Sequence, residues 1–121
     1  MSDKAEDGIW IVDAEGRTAY VNERMCEILR VPMSALLGRN SFDFIFPEDA
    51  REARRLFEKK MQGDTNPFHF KLRSNDGSPV WVEVQGTPMF NAAGEFKGIV
   101  GTFTQTTPLE GSPDKPAKVV I

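Results

Sequence analysis

The sequence predicts an α+β fold: one five-stranded antiparallel sheet with helices packed over one face. Two observations carry this. Short β-prone runs come as a pair at the start of the chain and a trio at its end, each bounded by Gly- or Asn-containing turns. Between the two groups the apolar spacing changes from alternation to a helical period. At 121 residues the chain is long enough to bury one core, so a single domain is expected.

Ile9-Trp10-Ile11-Val12-Asp13 and Thr18-Ala19-Tyr20-Val21 flank Ala14-Glu15-Gly16, which predicts a hairpin. Asn22 is a helix cap, and Met25, Ile28 and Leu29 recur at helical spacing until Pro32 stops them, giving a short helix over 22–30. Met33 to Leu37 is a second helical fragment ended by Gly38, and the Phe-rich stretch of Phe42, Phe44, Ile45 and Phe46 is too short for more than single turns. Pro47-Glu48-Asp49 opens the longest helix, since proline suits a first turn and carboxylates complement the helix dipole there. Its apolar face is expected to be Ala50, Ala53, Phe57 and Met61, with Lys59 and Lys60 on the remaining surface and Gly63 as the stop. Phe68, Phe70 and Leu72 then alternate with His69, Lys71 and Arg73 up to Asn75-Asp76-Gly77, a hairpin signal. Val80, Val82 and Val84 alternate with Trp81, Glu83 and Gln85, and a last strand runs from Phe96 to Thr106. From Pro108 three prolines in nine residues predict an extended linker. The expected organisation is an N-terminal segment over 1–7, the domain over 8–107 and a linker over 108–121, its Ala117–Ile121 end being β-prone and a candidate first strand of a further domain.

Composition narrows the function classes. With 15 Lys plus Arg against 18 Asp plus Glu, a net charge of −3 and a pI near 5.2, the chain has no basic footprint for nucleic acid or an anionic membrane surface. The longest apolar run, Ile9 to Val12, is four residues, far below the roughly 20 that cross a bilayer. No signal segment opens the chain, and one cysteine, Cys26, excludes an internal disulfide, so a cytoplasmic location without membrane insertion is expected. The inventory also lacks a Ser-His-Asp order, paired metal ligands and a phosphate loop, so no catalytic residue and no metal site are assigned. Glu48 and Asp49 are first-turn helix residues rather than an acid–base pair.

These pieces, taken in order, resemble the PAS family of sensory domains. Gly8-Ile9-Trp10-Ile11-Val12-Asp13, Gly16-Arg17 and Tyr20-Val21-Asn22 look like its first hairpin and helix entry, and Leu36-Leu37-Gly38-Arg39 looks like the segment before its central helix. Pro47-Glu48-Asp49 is similar to the opening of its long helix, and Asn75-Asp76-Gly77 followed by Trp81-Val82 to its best-marked hairpin. The resemblance spans residues 8–107. It implies a sheet in the order 2-1-5-4-3 and a role in sensing or protein interaction within a larger signalling protein, such as a two-component histidine kinase. In such kinases the last strand usually ends Asp-Ile-Thr and leads into a signalling helix. Here Gln105-Thr106-Thr107 and Pro108 stand there, which favours a flexible tether.

The family binds several cofactors, and the residues discriminate among them. The blue-light flavin branch carries Gly-Arg-Asn-Cys where this chain has Gly38-Arg39-Asn40-Ser41, and serine cannot supply thiolate photochemistry. That branch also has amides at positions matching Leu72, Val82 and Phe103, all apolar here. FMN photochemistry is therefore disfavoured. Haem is disfavoured too, because no histidine lies between Pro47 and Gly63, and His69 falls on the outward side of its strand. No cofactor is predicted.

By alternation the concave face holds Trp10, Val12, Phe68, Phe70, Leu72, Val82, Val84, Ile99 and Phe103, closed by Phe44, Phe57 and Met61. Either this set is a filled core or it surrounds a small apolar ligand. Organic-acid binding needs a buried cation that the set lacks, and Arg39, Arg51 and Arg54 are expected to be solvated. The outer face, with His69, Lys71, Arg73, Trp81, Glu83 and Gln85, places an aromatic among polar residues and suits a homodimer or a partner signalling domain. Two functions stay open: a sensor of a small apolar ligand, which also dimerises, and a ligand-free interaction module.

Overall fold

The computed structural model describes residues 7–106. The expected N-terminal segment, the linker and the β-prone Ala117–Ile121 end lie wholly or almost wholly outside the described residues. Five strands form one antiparallel sheet in the order β2-β1-β5-β4-β3: β1 (Gly8–Asp13), β2 (Thr18–Val21), β3 (Phe68–Arg73), β4 (Pro79–Phe90) and β5 (Phe96–Gln105). Between β2 and β3 run α1 (Glu23–Leu29), α2 (Met33–Leu36), two 3-10 turns (Ser41–Phe44 and Pro47–Asp49) and α3 (Ala50–Met61).

The local chemistry explains the joints. Asn22 caps α1 by accepting from the Met25 amide, and the same Oδ1 accepts from the Ile9 amide at 2.9 Å, so one side chain sets the helix start and pins it to β1. Gly8 leaves room for this approach, since a Cβ there would sit 2.6 Å from Met25 Sδ. Asn40 caps the first 3-10 turn in the same way. Pro47 begins the second turn, and the α-helical hydrogen bonding starts at Ala50. β4 runs on past Gln85 to Phe90, with Gly86, Thr87 and Pro88 in register with Gly101, Val100 and Ile99 of β5.

The core gathers Val21, Met25, Leu29 and Leu36 under the first helices and Trp10, Phe44, Leu72, Val80, Val82 and Val84 along the sheet. Trp10 is anchored at both ends of its chemistry: the indole Nε1 donates to Thr18 Oγ1 at 2.9 Å, and the ring packs against Phe44 and Phe103 at centroid distances of 5.8 and 5.5 Å.

Candidate functional site

α3 does not lie flush on the sheet. Its inward stripe is Ala53, Leu56, Phe57 and Lys60, spaced three and four apart, and beneath it lies a cavity of about 120 Å³. The floor is made by β1, β4 and β5, where Trp10, Gly101 and Gly86 stand opposite one another in a single cross-strand row. Two of those three positions carry no side chain. The Lys60 stem and the Phe103 ring settle over these two glycines, so closely that a Cβ at either position would crowd them.

Of the twelve residues expected around a ligand, Trp10, Val12, Phe57, Phe68, Phe70, Leu72, Val84, Ile99 and Phe103 line this cavity. Phe44 and Val82 are buried, but in the surrounding core. Met61 is a correction: it is 42% exposed and takes no part, and Ala50 likewise faces solvent. Lys60, expected on the surface, stands in Met61's place at 3% exposure. Its stem passes over Gly86, where a Cβ would lie 3.2 Å from Lys60 Cε, and its amine donates to the Asn66 carbonyl at 2.9 Å. Asp64 Oδ2 lies 3.5 Å from the same nitrogen, and the Phe68 ring 5.6 Å away. The sequence signal was there: Lys60 follows Phe57 by three and precedes Asp64 by four, but a lysine between Lys59 and Met61 gives composition no reason to point it inward.

The expectation that the inward set holds no cation is thus overturned by Lys60. The arginines considered for that role do not line the cavity: Arg39 pairs with Asp43 at 3.1 Å, Arg54 lies over the Phe42 ring at 4.7 Å, and Arg51 is exposed. Ser41, Phe42 and Ile45 were also missed. They reach the cavity because the Gly38–Ser41 strand of chain is laced to the first hairpin, the Ser41 amide donating to Gly16 O at 2.8 Å and the Thr18 amide to Arg39 O at 2.8 Å. Ser41, which stands where the flavin branch has its cysteine, therefore lines the cavity. Cys26 does not, and burial with the nearby Glu23 charge raises its pKa above the ordinary thiol value.

On the opposite sheet face His69, Glu83 and Gln85 are exposed and Trp81 is half-buried. Lys71 and Arg73 are engaged elsewhere: Lys71 Nζ lies 3.4 Å from both Glu48 and Asp49, and Arg73 donates to the Asp43 carbonyl at 2.8 Å. Asp49 Oδ2, a buried oxygen with no hydrogen bond, has this ion pair as its compensation. Among the described residues no three His, Cys, Asp or Glu side chains gather as a metal site, and no helix is long and apolar enough to cross a membrane.

This sheet order, with short helices between β2 and β3 and a long one over the concave face, agrees with the family comparison: the PAS-fold family model matches residues 1–105. The chain belongs to the PAS family. It is 26% identical over 110 residues to the C4-dicarboxylate transport sensor protein DctS of Rhodobacter capsulatus, covering 88% of this chain and 17% of that protein. It is also 26% identical over 102 residues to the aryl hydrocarbon receptor nuclear translocator homolog of Drosophila melanogaster, covering 82% of this chain and 16% of that protein. The PAS domain of an HTR-like protein from Haloarcula marismortui superposes with a TM-score of 0.70 at 25% identity, over 86% of this chain and 84% of that one. The chain thus spans about one sixth of the curated relatives it matches.

Proposed function

We propose that this PAS domain senses a small, mostly apolar molecule held between α3 and the sheet, as the regulatory part of a larger signalling protein without catalysis of its own. The cavity carries this reading. A cleft of about 120 Å³, open on one side and lined by aromatic and aliphatic side chains, is similar in volume to engineered apolar cavities that take up benzene. That scale speaks against the three fused rings of a flavin, and the apolar Leu72, Val82 and Phe103 offer it no polar edge. Haem finds no histidine on α3. DctS is named for C4-dicarboxylates, but a dicarboxylate would meet a single cavity cation already beside Asp64, so that ligand class is not carried over. A sensor-kinase context and a cytoplasmic location are part of the same proposal; that relative, a sensor protein by name, supports a sensing role.

The test is the mass of the purified chain under native and then denaturing conditions. Extra mass that disappears on denaturation supports a non-covalent ligand and gives its size. Polypeptide mass alone, with no rise in melting temperature on adding benzene or toluene, would favour the ligand-free interaction module.

A second reading, pairing with another copy, is favoured by the outer face of the sheet. Tyr20, Ile11 and Val100 lie in one row across β2, β1 and β5, with Ile9 and Met89 half-buried on the same face. This apolar row shifts the proposed contact from His69, Lys71, Arg73 and Glu83 toward β1, β2 and β5, with Gln85, in register with Thr102 and Ile9, at its margin and Trp81 further along β4. Val100→Asp is expected to turn a dimer into a monomer in sedimentation velocity while Trp81→Ala weakens it less. A chain that sediments as a monomer at high micromolar concentration would sink this reading.

A further inference from the structure

We propose that the cavity selects a small neutral molecule carrying one acceptor oxygen, which Lys60 holds, and that Asp64 excludes carboxylates. This deepens the ligand reading above and rests on it. Among the described residues Lys60 is the one charged residue in the cavity wall, and an ammonium group offers three N–H donors. One donates to the Asn66 carbonyl, and a second is matched by Asp64 at 3.5 Å. Around the rest of the group lies the Phe68 ring, and among the described residues no further oxygen hydrogen-bonds to Nζ. Because Lys60 is part of the cavity wall and its ammonium has three donors, a ligand oxygen reaching that group would use the donor capacity that Asn66 and Asp64 leave.

Charge then decides the kind of oxygen. Lys60 and Asp64 together are neutral, and the remaining wall is Ser41 plus carbon-rich side chains such as Phe57 and Phe70. A carboxylate entering this space loses its hydration and meets a cation whose charge is already balanced. A phenol, alcohol or ether oxygen completes the third donor and adds no charge. Asp64 follows α3, its side chain is only 20% exposed, and its other oxygen accepts from Asn66 Nδ2 at 2.9 Å, so the carboxylate is held beside the amine by the same loop that supplies the carbonyl.

The experiment titrates the 121-residue chain with toluene, phenol and butyrate by calorimetry. Toluene and phenol are nearly the same shape, so the ratio of their Kd values reports the oxygen. That ratio, toluene over phenol, is expected to fall by about tenfold or more in Lys60→Met, the effect of losing a hydrogen bond to a charged group. In Asp64→Asn, which keeps an acceptor for Asn66, butyrate affinity is expected to rise about tenfold or more while phenol changes little. Toluene binding with an unchanged ratio in Lys60→Met, or no butyrate gain in Asp64→Asn, overturns the inference and leaves the ligand reading standing. Failure of all three probes to bind overturns both. Should Lys60→Met not fold, the Asp64→Asn titration decides alone, because that substitution sits at the edge of the cavity loop.

Discussion

Arg30 is the one described non-glycine residue with positive φ, at 59°, and it ends α1 where glycine is the usual choice. What holds an arginine there is a contact across the fold: its Nη1 donates to Asp76 Oδ2 at 2.7 Å, tying the end of α1 to the β3–β4 turn. Arg30→Ala and Arg30→Gly both lose that tie, but only glycine is at ease in the left-handed region. Urea unfolding is therefore expected to find the glycine variant more stable than the alanine variant by about 1 kcal/mol. Equal stabilities would mean that the conformation carries no cost. Asp76 itself receives hydrogen bonds from the Ser74 and Ser78 hydroxyls and the Ser78 amide. These, with the Arg30 charge, hold its carboxyl well below the usual carboxylate range. A lowered folded-state pKa stabilises the fold in full above the unfolded value near 3.9, and the effect fades as pH falls through that value toward the folded one. Asp76→Ala should lower the melting temperature at pH 7, with the gap to the parent chain narrowing from pH 5 down to pH 2. A gap that stays constant across that window would assign the loss to geometry rather than ionisation.

Among the elements, the paired glycines of β4 and β5 matter most, since the cavity floor depends on them. A Cβ at Gly101 would lie 2.7 Å from Phe103 Cε1 and 3.3 Å from the Trp10 carbonyl, so a packed ring must move. At Gly86 the nearest atoms are Lys60 Cε at 3.2 Å and Ile99 Cγ2 at 3.4 Å, and the lysine stem can yield. Gly101→Ala is expected to cost about 1–3 kcal/mol in denaturant unfolding and Gly86→Ala less than about 1 kcal/mol; the reverse order would contradict the proposed floor. The sequence showed the strands, the short first helix and its Asn22 cap, because alternation, caps and Gly turns are local signals. The glycine pair was not visible, since Gly86 and Gly101 meet only through the β4–β5 register. Nor was the rotation of α3. Its apolar residues fit a face through Met61 or one through Lys60 almost equally well, and the choice falls to contacts distant in sequence, with Gly86 below and Asn66 beyond.

For the molecule as a whole, the gap beneath α3 is a cleft, open on one side, in an otherwise packed domain. At roughly 24 cal/mol per Å³ for an enclosed cavity, about 120 Å³ of space sets an upper bound of about 3 kcal/mol forgone relative to a filled core. That is a large share of the 5–15 kcal/mol typical of a domain. A ligand at about 100 times its Kd returns about 2.7 kcal/mol, nearly the same amount, so occupancy should be felt throughout the fold as a change in stability. Ala53, buried on α3 and facing the cavity, offers a way to separate the two states. Ala53→Leu places three further carbons in the space without changing a polar group, and leucine suits a helix interior. The variant is expected to melt several degrees higher than the parent chain and to lose the thermal shift produced by toluene or phenol, because filling the space and binding in it are mutually exclusive. Raised stability with the ligand shift intact would place the binding space away from α3. A lowered melting temperature would mean that the gap beneath α3 does not accept the added carbons, and the interaction-module reading would then gain.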